Sequence, residues 1–248
     1  MKHCLKLLAI GSISVLCTAA CAQEKDFAID VQRIDTAAYV YHFTIKVGTQ
    51  TVIANGMIVE GRDSVVLVET PWDLTQTIQL INWITEHFQK PIGLVIVTRT
   101  HPNQLGGLSV MLNDRFPIYG SVHLAQEAET NGYRPPDNQF MNDTTFHCSG
   151  ITAETYCLMP GSHPEEMVIY FSGSNILFGS IFLNNAQATS PAKMTNADAS
   201  VRLQSLHRLK EKYPHPKFVI PGNGIWQGVT IETTEKLLQH AVKKTSEN

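Results

Sequence analysis

Arg99-Thr100-His101-Pro102-Asn103-Gln104-Leu105-Gly106-Gly107 carries the most legible chemistry in the chain. The apolar run Leu94 to Val97 just before it predicts a strand. Polar side chains at alternate positions after a strand, closed by a Gly pair, have the frame of a metal-binding loop. The donors, however, are mostly wrong for zinc, which takes imidazole, thiolate and carboxylate. His101 supplies one imidazole, Asn103 offers a neutral amide oxygen, and Arg99 has no lone pair to give. A guanidinium ~4 Å from a divalent ion, at an effective dielectric of ~20, would be repelled by on the order of 8 kcal/mol. Arg99 is therefore expected to pair with an acid, such as Glu69, or to recognise an anion.

A nucleophile in place of the metal is not legible. Ser162 and His163 are adjacent and project differently, Ser180 stands at a strand end, and no Ser-His-Asp arrangement follows from spacing. No Gly-rich phosphate loop or paired-carboxylate motif is present. Nineteen Lys and Arg against 22 Asp and Glu, net −3 and scattered, exclude an electrostatic case for nucleic acid.

These residues need a scaffold, and the periodicity describes one. Strands are predicted at Ala38 to Lys46, Thr51 to Ile53, Gly56 to Val59 and Ser64 to Glu69. Leu74, Ile78, Ile81, Ile84 and Phe88 fall at helical spacing, Asp73 with Gln76 forms a capping box, and Pro91 follows, so a helix spans Leu74 to Gln89. A strand near Ile118 and a helix from Val122 to Asn131, closed by Gly132, come next. The second half repeats the scheme. It has strands at Thr144 to Cys148, Ile151 to Met159, Met167 to Phe171, Asn175 to Phe178 and Lys217 to Ile220, with helices at Ala199 to Tyr213 and Thr230 to Lys244. That order fits two sheets flanked by helices.

Lys2 and Lys6 precede an apolar run from Leu7 to Leu16 and a string of small residues, which reads as a secretory leader over 1–22. The run falls short of the ~20 apolar residues a membrane span needs. A cut after Ala20-Cys21-Ala22 releases a soluble domain, 23–248; the alternative is a lipid anchor through Cys21. Thr18 favours the soluble form, because lipoprotein signals usually carry Leu there. Cys148 and Cys157 flank the turn predicted at Ser149-Gly150. That register keeps the two sulfurs about 20 Å apart, so both are expected as free thiols.

Several segments together resemble the metallo-β-lactamase superfamily, and within it the class B β-lactamases of the first subclass. They are Glu69-Thr70-Pro71-Trp72, Gly106-Gly107, Pro160-Gly161-Ser162-His163, Ile176-Leu177-Phe178-Gly179 and Val219-Ile220-Pro221-Gly222, in order along nearly the whole mature chain. The resemblance implies an αβ/βα sandwich of two mixed β-sheets flanked by helices, with a groove along one edge of the sheets.

It also implies where a binuclear zinc site would lie. The first ion's three His positions hold Arg99, His101 and His163; the second ion's Asp, Cys and His positions hold Asn103, Ile181 and Asn223. The Lys that binds the substrate carboxylate in many members is Asn184 here. The expectation is a periplasmic, monomeric pseudoenzyme with no resident cofactor, which keeps the groove for a small-molecule ligand. One alternative is a hydrolase using a single, weakly bound zinc at His101 and His163; another is an inert envelope interaction protein. Without the metal, His101 and His163 are expected to persist as a hydrogen-bonded remnant.

Overall fold

A computed structural model describes residues 29–47, 49–98, 107–109, 111, 116–141, 143–158, 167–191 and 196–246. The leader with Cys21, the loop residues Arg99, His101, Asn103 and Gly106, and the segment from Pro160 to His163 lie outside the described residues.

Seven strands form the first sheet in chain order: β1 Asp30–Arg33, β2 Ala38–Val47, β3 Gln50–Glu60, β4 Val65–Val68, β5 Ile92–Val97, β6 Ile118–Ser121 and β7 Asn138–Phe140. β1 to β4 are antiparallel and β4 to β7 parallel. The second sheet runs β12-β11-β10-β9-β8, from β8 Thr144–Cys148, β9 Ile151–Cys157, β10 Met167–Phe171, β11 Ile176–Ser180 and β12 Phe218–Pro221; only β11 and β12 pair in parallel. Both sheets are mixed, as the resemblance implies. Helices α1 Leu74–Phe88 and α2 Val122–Thr130 cover the first sheet, and α3 Asn196–Lys212 and α4 Ile231–Ser246 cover the second.

The period of two along each strand builds the layers. In β4, Val65 and Leu67 face the cluster under α1 and α2, while Val66 and Val68 face the cluster between the sheets. In the second sheet, Ile169 and Phe178 join that middle layer, while Val168, Leu177 and Val219 meet Leu206, Leu209 and Leu238 of the outer helices. Both faces of each sheet are thereby buried, which is why β4 and β5 read as continuous apolar runs.

Two sequence expectations change. The break between Ile53 and Gly56 is absent, because β3 continues through Asn55-Gly56. Gly56 lies under the Tyr41 ring, where a Cβ would sit 2.2 Å from Cζ, so this glycine makes room for an aromatic and makes no turn. The buried face of α1 is Thr77, Leu80, Ile84 and Phe88 with Gln76, while Leu74 and Ile78 are exposed. At ~100° per residue, those two sit to one side of the stripe that faces the sheet. Asp73 caps Gln76 N at 2.8 Å as predicted. The Gln76 side chain also reaches β2, accepting from Thr44 N at 2.8 Å and donating to Thr44 O at 3.0 Å, and so acts as a one-residue extension of the sheet.

The Ser149-Gly150 turn adopts positive φ at both residues, and Thr144 pairs with Thr155 as the register requires. Cys148 and Cys157 are free. Burial, with Asp143 nearby, pushes the Cys157 thiol up to about 11.

Candidate functional site

Four strands, the parallel pairs β4-β5 and β11-β12, end at one edge of the sandwich, and all but β5 lead into a residue that the sequence marked. β4 runs out into Glu69, β5 into Thr98, β11 ends at Ser180 and runs into Ile181, and β12 runs into Gly222 and Asn223. Chemistry at an α/β edge sits on such loops because the strands before them hold the backbone in place.

Glu69 turns the chain out of β4 at φ 67, a left-handed conformation unusual for a residue with a Cβ. Its N–H donates to Ile96 O at 2.9 Å, and its carboxylate is buried. Thr98 Oγ1 donates to Glu69 Oε1, and Ser180 Oγ lies 2.6 Å from Thr98 Oγ1. Since Thr98 spends its proton on the carboxylate, Ser180 donates to Thr98. This buried chain runs from β4 through β5 to β11 and links the two sheets. It also removes Ser180 as a nucleophile: the hydroxyl is fully buried and its proton is committed. Both Thr98 and this role of Ser180 were illegible in the sequence.

Ser180 is itself at φ 47, and Phe182 N and Leu183 N both donate to Gly179 O, so the chain folds back directly after β11. Phe182 and Leu183 go into the helix-side core, and Ile181 is left 36% exposed. Asn184 follows with its N–H on Thr234 Oγ1 of α4 at 2.7 Å.

Asn223 is held from both sides. Asn55 N donates to Gly222 O at 2.9 Å and Gly224 N to Ile53 O at 2.8 Å, so this loop of the second sheet pairs with β3 of the first. The fully buried Asn55 side chain adds Nδ2 bonds to Pro221 O at 2.8 Å and Gly224 O at 3.0 Å, while its Oδ1 lies 2.7 Å from His42 Nδ1. Gly224 adopts φ 70, and a Cβ there would meet Asn185 Nδ2 at 2.6 Å. Asn185 Nδ2 in turn donates to Asn223 Oδ1 at 3.1 Å. The chain thus bends at Asn223-Gly224. An Asn-Gly pair inside a strand pattern was the one available signal for Asn55.

Gly107 closes the opening loop. A Cβ there would lie 1.9 Å from Pro71 O and 2.4 Å from Thr77 Oγ1, so close approach of two backbones requires glycine. Trp72, in the same turn as Pro71, packs against the core under α1.

The structure therefore brings Ile181, Asn184 and Asn223 to one edge, together with Glu69 and Thr98. Arg99, His101, Asn103 and His163 lie outside the described residues. At the two described positions where the resemblance would seat a second zinc, the donors do not fit that ion. Ile181 has no lone pair, and Asn223 offers a neutral oxygen already accepting from Asn185. Beside them, Gln32, His42, Asn185, Asn223 and Gln227 line an open depression of about 660 Å³.

No family model matches the chain. Among curated proteins it is similar to Metallo-beta-lactamase type 2 of Bacteroides fragilis, 28% identical over 220 residues and 88% of each chain. It is similar also to Metallo-beta-lactamase IND-1 of Chryseobacterium indologenes, 24% identical over 239 residues, 96% of this chain and 99% of the relative. Among solved structures, a metallo-beta-lactamase from Pontibacter korlensis superposes with a TM-score of 0.76 at 26% identity, covering 89% of this chain and all of that one.

Proposed function

We propose, from the premise that this chain belongs to the metallo-β-lactamase superfamily, that it is a pseudoenzyme which keeps the fold and groove for binding and lacks two-zinc β-lactam hydrolysis. The observation that carries the reading is the pair Ile181 and Asn223. Both stand at the strand-end edge, and neither can neutralise or coordinate a second cation there.

Two-metal hydrolysis needs one ion to acidify a bound water and another to steady developing charge. Ile181 and Asn223 supply no anionic ligand for the second role, and Glu69, the carboxylate at the same edge, is buried and bonded to Thr98. What they supply is a groove held open by neutral hydrogen bonds: Asn55 to the backbone of Pro221 and Gly224, and Asn185 to Asn223. Such contacts need no metal to form and can orient a ligand through amide donors and acceptors. In this reading the 1–22 leader exports the domain 23–248 to the periplasm, where it acts as a soluble monomer. No helix among the described residues is long and apolar enough to cross a membrane.

The test is elemental analysis of the purified mature protein beside hydrolysis of a chromogenic cephalosporin, with added zinc and with chelator. We expect far less than one zinc per chain and no chelator-sensitive turnover. Stoichiometric zinc with turnover abolished by chelator would overturn the reading and favour a single-metal hydrolase at His101 and His163.

A further inference from the structure

We infer that the depression beside Asn223 is a binding site for an uncharged, hydroxyl-rich ligand of the saccharide class. The inference rests on the binding reading above and names the ligand.

Five carboxamides line the depression: Gln32, Asn185, Gln187, Asn223 and Gln227. They come from three separate places, strand β1, the segment after β11 and the segment after β12, so their convergence is a product of the fold. No Lys or Arg lines it among the described residues, and Asp30 contributes the single carboxylate. Asn184, where a cation would serve an anionic substrate, is also neutral. Among the described lining, a carboxylate or phosphate would meet no Lys or Arg and would face the Asp30 carboxylate, which disfavours it.

The amides are arranged in advance. Asn185 Nδ2 donates to Asn223 Oδ1 at 3.1 Å, and Asn185 Oδ1 accepts from Gln187 N at 2.9 Å. Opposite them, Gln227 Nε2 donates to Gln32 Oε1 at 3.3 Å, and Gln32 Nε2 donates to Asp30 Oδ2 at 2.9 Å. Each pair fixes one end of an amide and leaves complementary groups over. Asn223 keeps its NH2, Gln227 keeps its carbonyl and one N–H, and His42 is held through Nδ1 by Asn55. A carboxamide with both a donor and an acceptor available matches two neighbouring hydroxyls, each of which donates and accepts. Pre-pairing also lowers the ordering cost of binding.

The floor suits the same class. Ile53 is 53% exposed and Ile225 43% exposed, and both line the depression with Val52. Aliphatic side chains among amides fit a ring whose faces present C–H groups and whose edge presents O–H groups.

The experiment is titration of the mature protein with N,N′-diacetylchitobiose, an uncharged disaccharide, by calorimetry. Benzylpenicillin and N-acetyl-trialanine amide are titrated in parallel. We expect saturable binding of the disaccharide with Kd below ~1 mM, weakened at least tenfold by Gln227→Ala and by Asn223→Ala. Gln227 is exposed, so its variant keeps the fold, which circular dichroism checks. Gln227→Glu, which adds a charge at constant shape, should weaken binding as well. Disaccharide binding that no variant alters overturns the site. Tighter binding of benzylpenicillin or of the peptide overturns the ligand class and leaves the binding groove standing. Saturation by none of the three overturns both.

Discussion

Replacing Asn55 by Ala isolates what holds the loop that carries Asn223. The fully buried amide donates to Pro221 O at 2.8 Å and to Gly224 O at 3.0 Å, and its oxygen meets His42 Nδ1 at 2.7 Å. Three such bonds at a net ~0.5–1.5 kcal/mol each sum to roughly 1.5–4.5 kcal/mol. Unpaired buried carbonyls push the loss toward the upper part of that range, so about 3 kcal/mol is expected. In a domain of this size, ~2–4 °C is lost per kcal/mol, which makes the melting temperature roughly 6–12 °C lower. Urea unfolding measures the free energy. Hydrogen exchange then asks where it is lost. The N–H groups of Gly224, bonded to Ile53 O, and of Asn55, bonded to Gly222 O, should exchange by local opening in Asn55→Ala. Amides at the centre of β4 and β5 should exchange only by global unfolding. A loss under ~0.5 kcal/mol, or unchanged protection at Gly224, would refute the idea that this side chain joins the two sheets.

Thr98→Val keeps the shape and deletes the hydroxyl between Glu69 and Ser180. It should cost ~1–3 kcal/mol in urea unfolding, whereas Ser180→Ala, which leaves the Thr98 to Glu69 bond in place, should cost less. Gly107→Ala places a Cβ 1.9 Å from Pro71 O, and about 3 kcal/mol or more should be lost, read as a drop in melting temperature. The acid limb of stability contains a contribution from α4. Lys210 Nζ, 2.8 Å from Glu232, holds that carboxyl down to about 2, against an ordinary 4.5. A lowered carboxyl stabilises the fold above the unfolded value, and the gain disappears as pH falls from about 4.5 toward 2. Both groups are more than one-third exposed, so Lys210→Met should lower the melting temperature only slightly at pH 7. The difference from the parent protein should vanish by pH 2, as pH-dependent melting would show.

What was legible in the sequence followed the strength of its periodicity. β4 and β5 are buried on both faces and announce themselves as apolar runs, and the Asp73 cap marks the start of α1 within a residue. β1 and β7 were missed because each pairs on one side only. Their residues, Asp-Val-Gln-Arg and Asn-Gln-Phe, mix polar and apolar positions as sheet edges do. Asn55-Gly56 misled for the opposite reason. A pair that favours turns lies inside a strand, where a Tyr ring and a neighbouring loop need it. In the candidate site, Ile181 and Asn223 were singled out by residue type and place in the chain alone. The convergence of five amides was not, since they are separated by up to 195 positions and no period relates Gln32 to Gln227.

Thr98 and Gly107 bracket the segment 99–106, and neither belongs to the ligand positions. Thr98 is held by its hydroxyl bonds, and Gly107 by the backbone of Pro71. The fold therefore fixes residues 98 and 107 through contacts that involve no ligand position. On that account both residues belong to the scaffold: a library that keeps them and varies exposed residues of the depression, such as Gln227, should yield mostly folded proteins, among which new specificities can be selected.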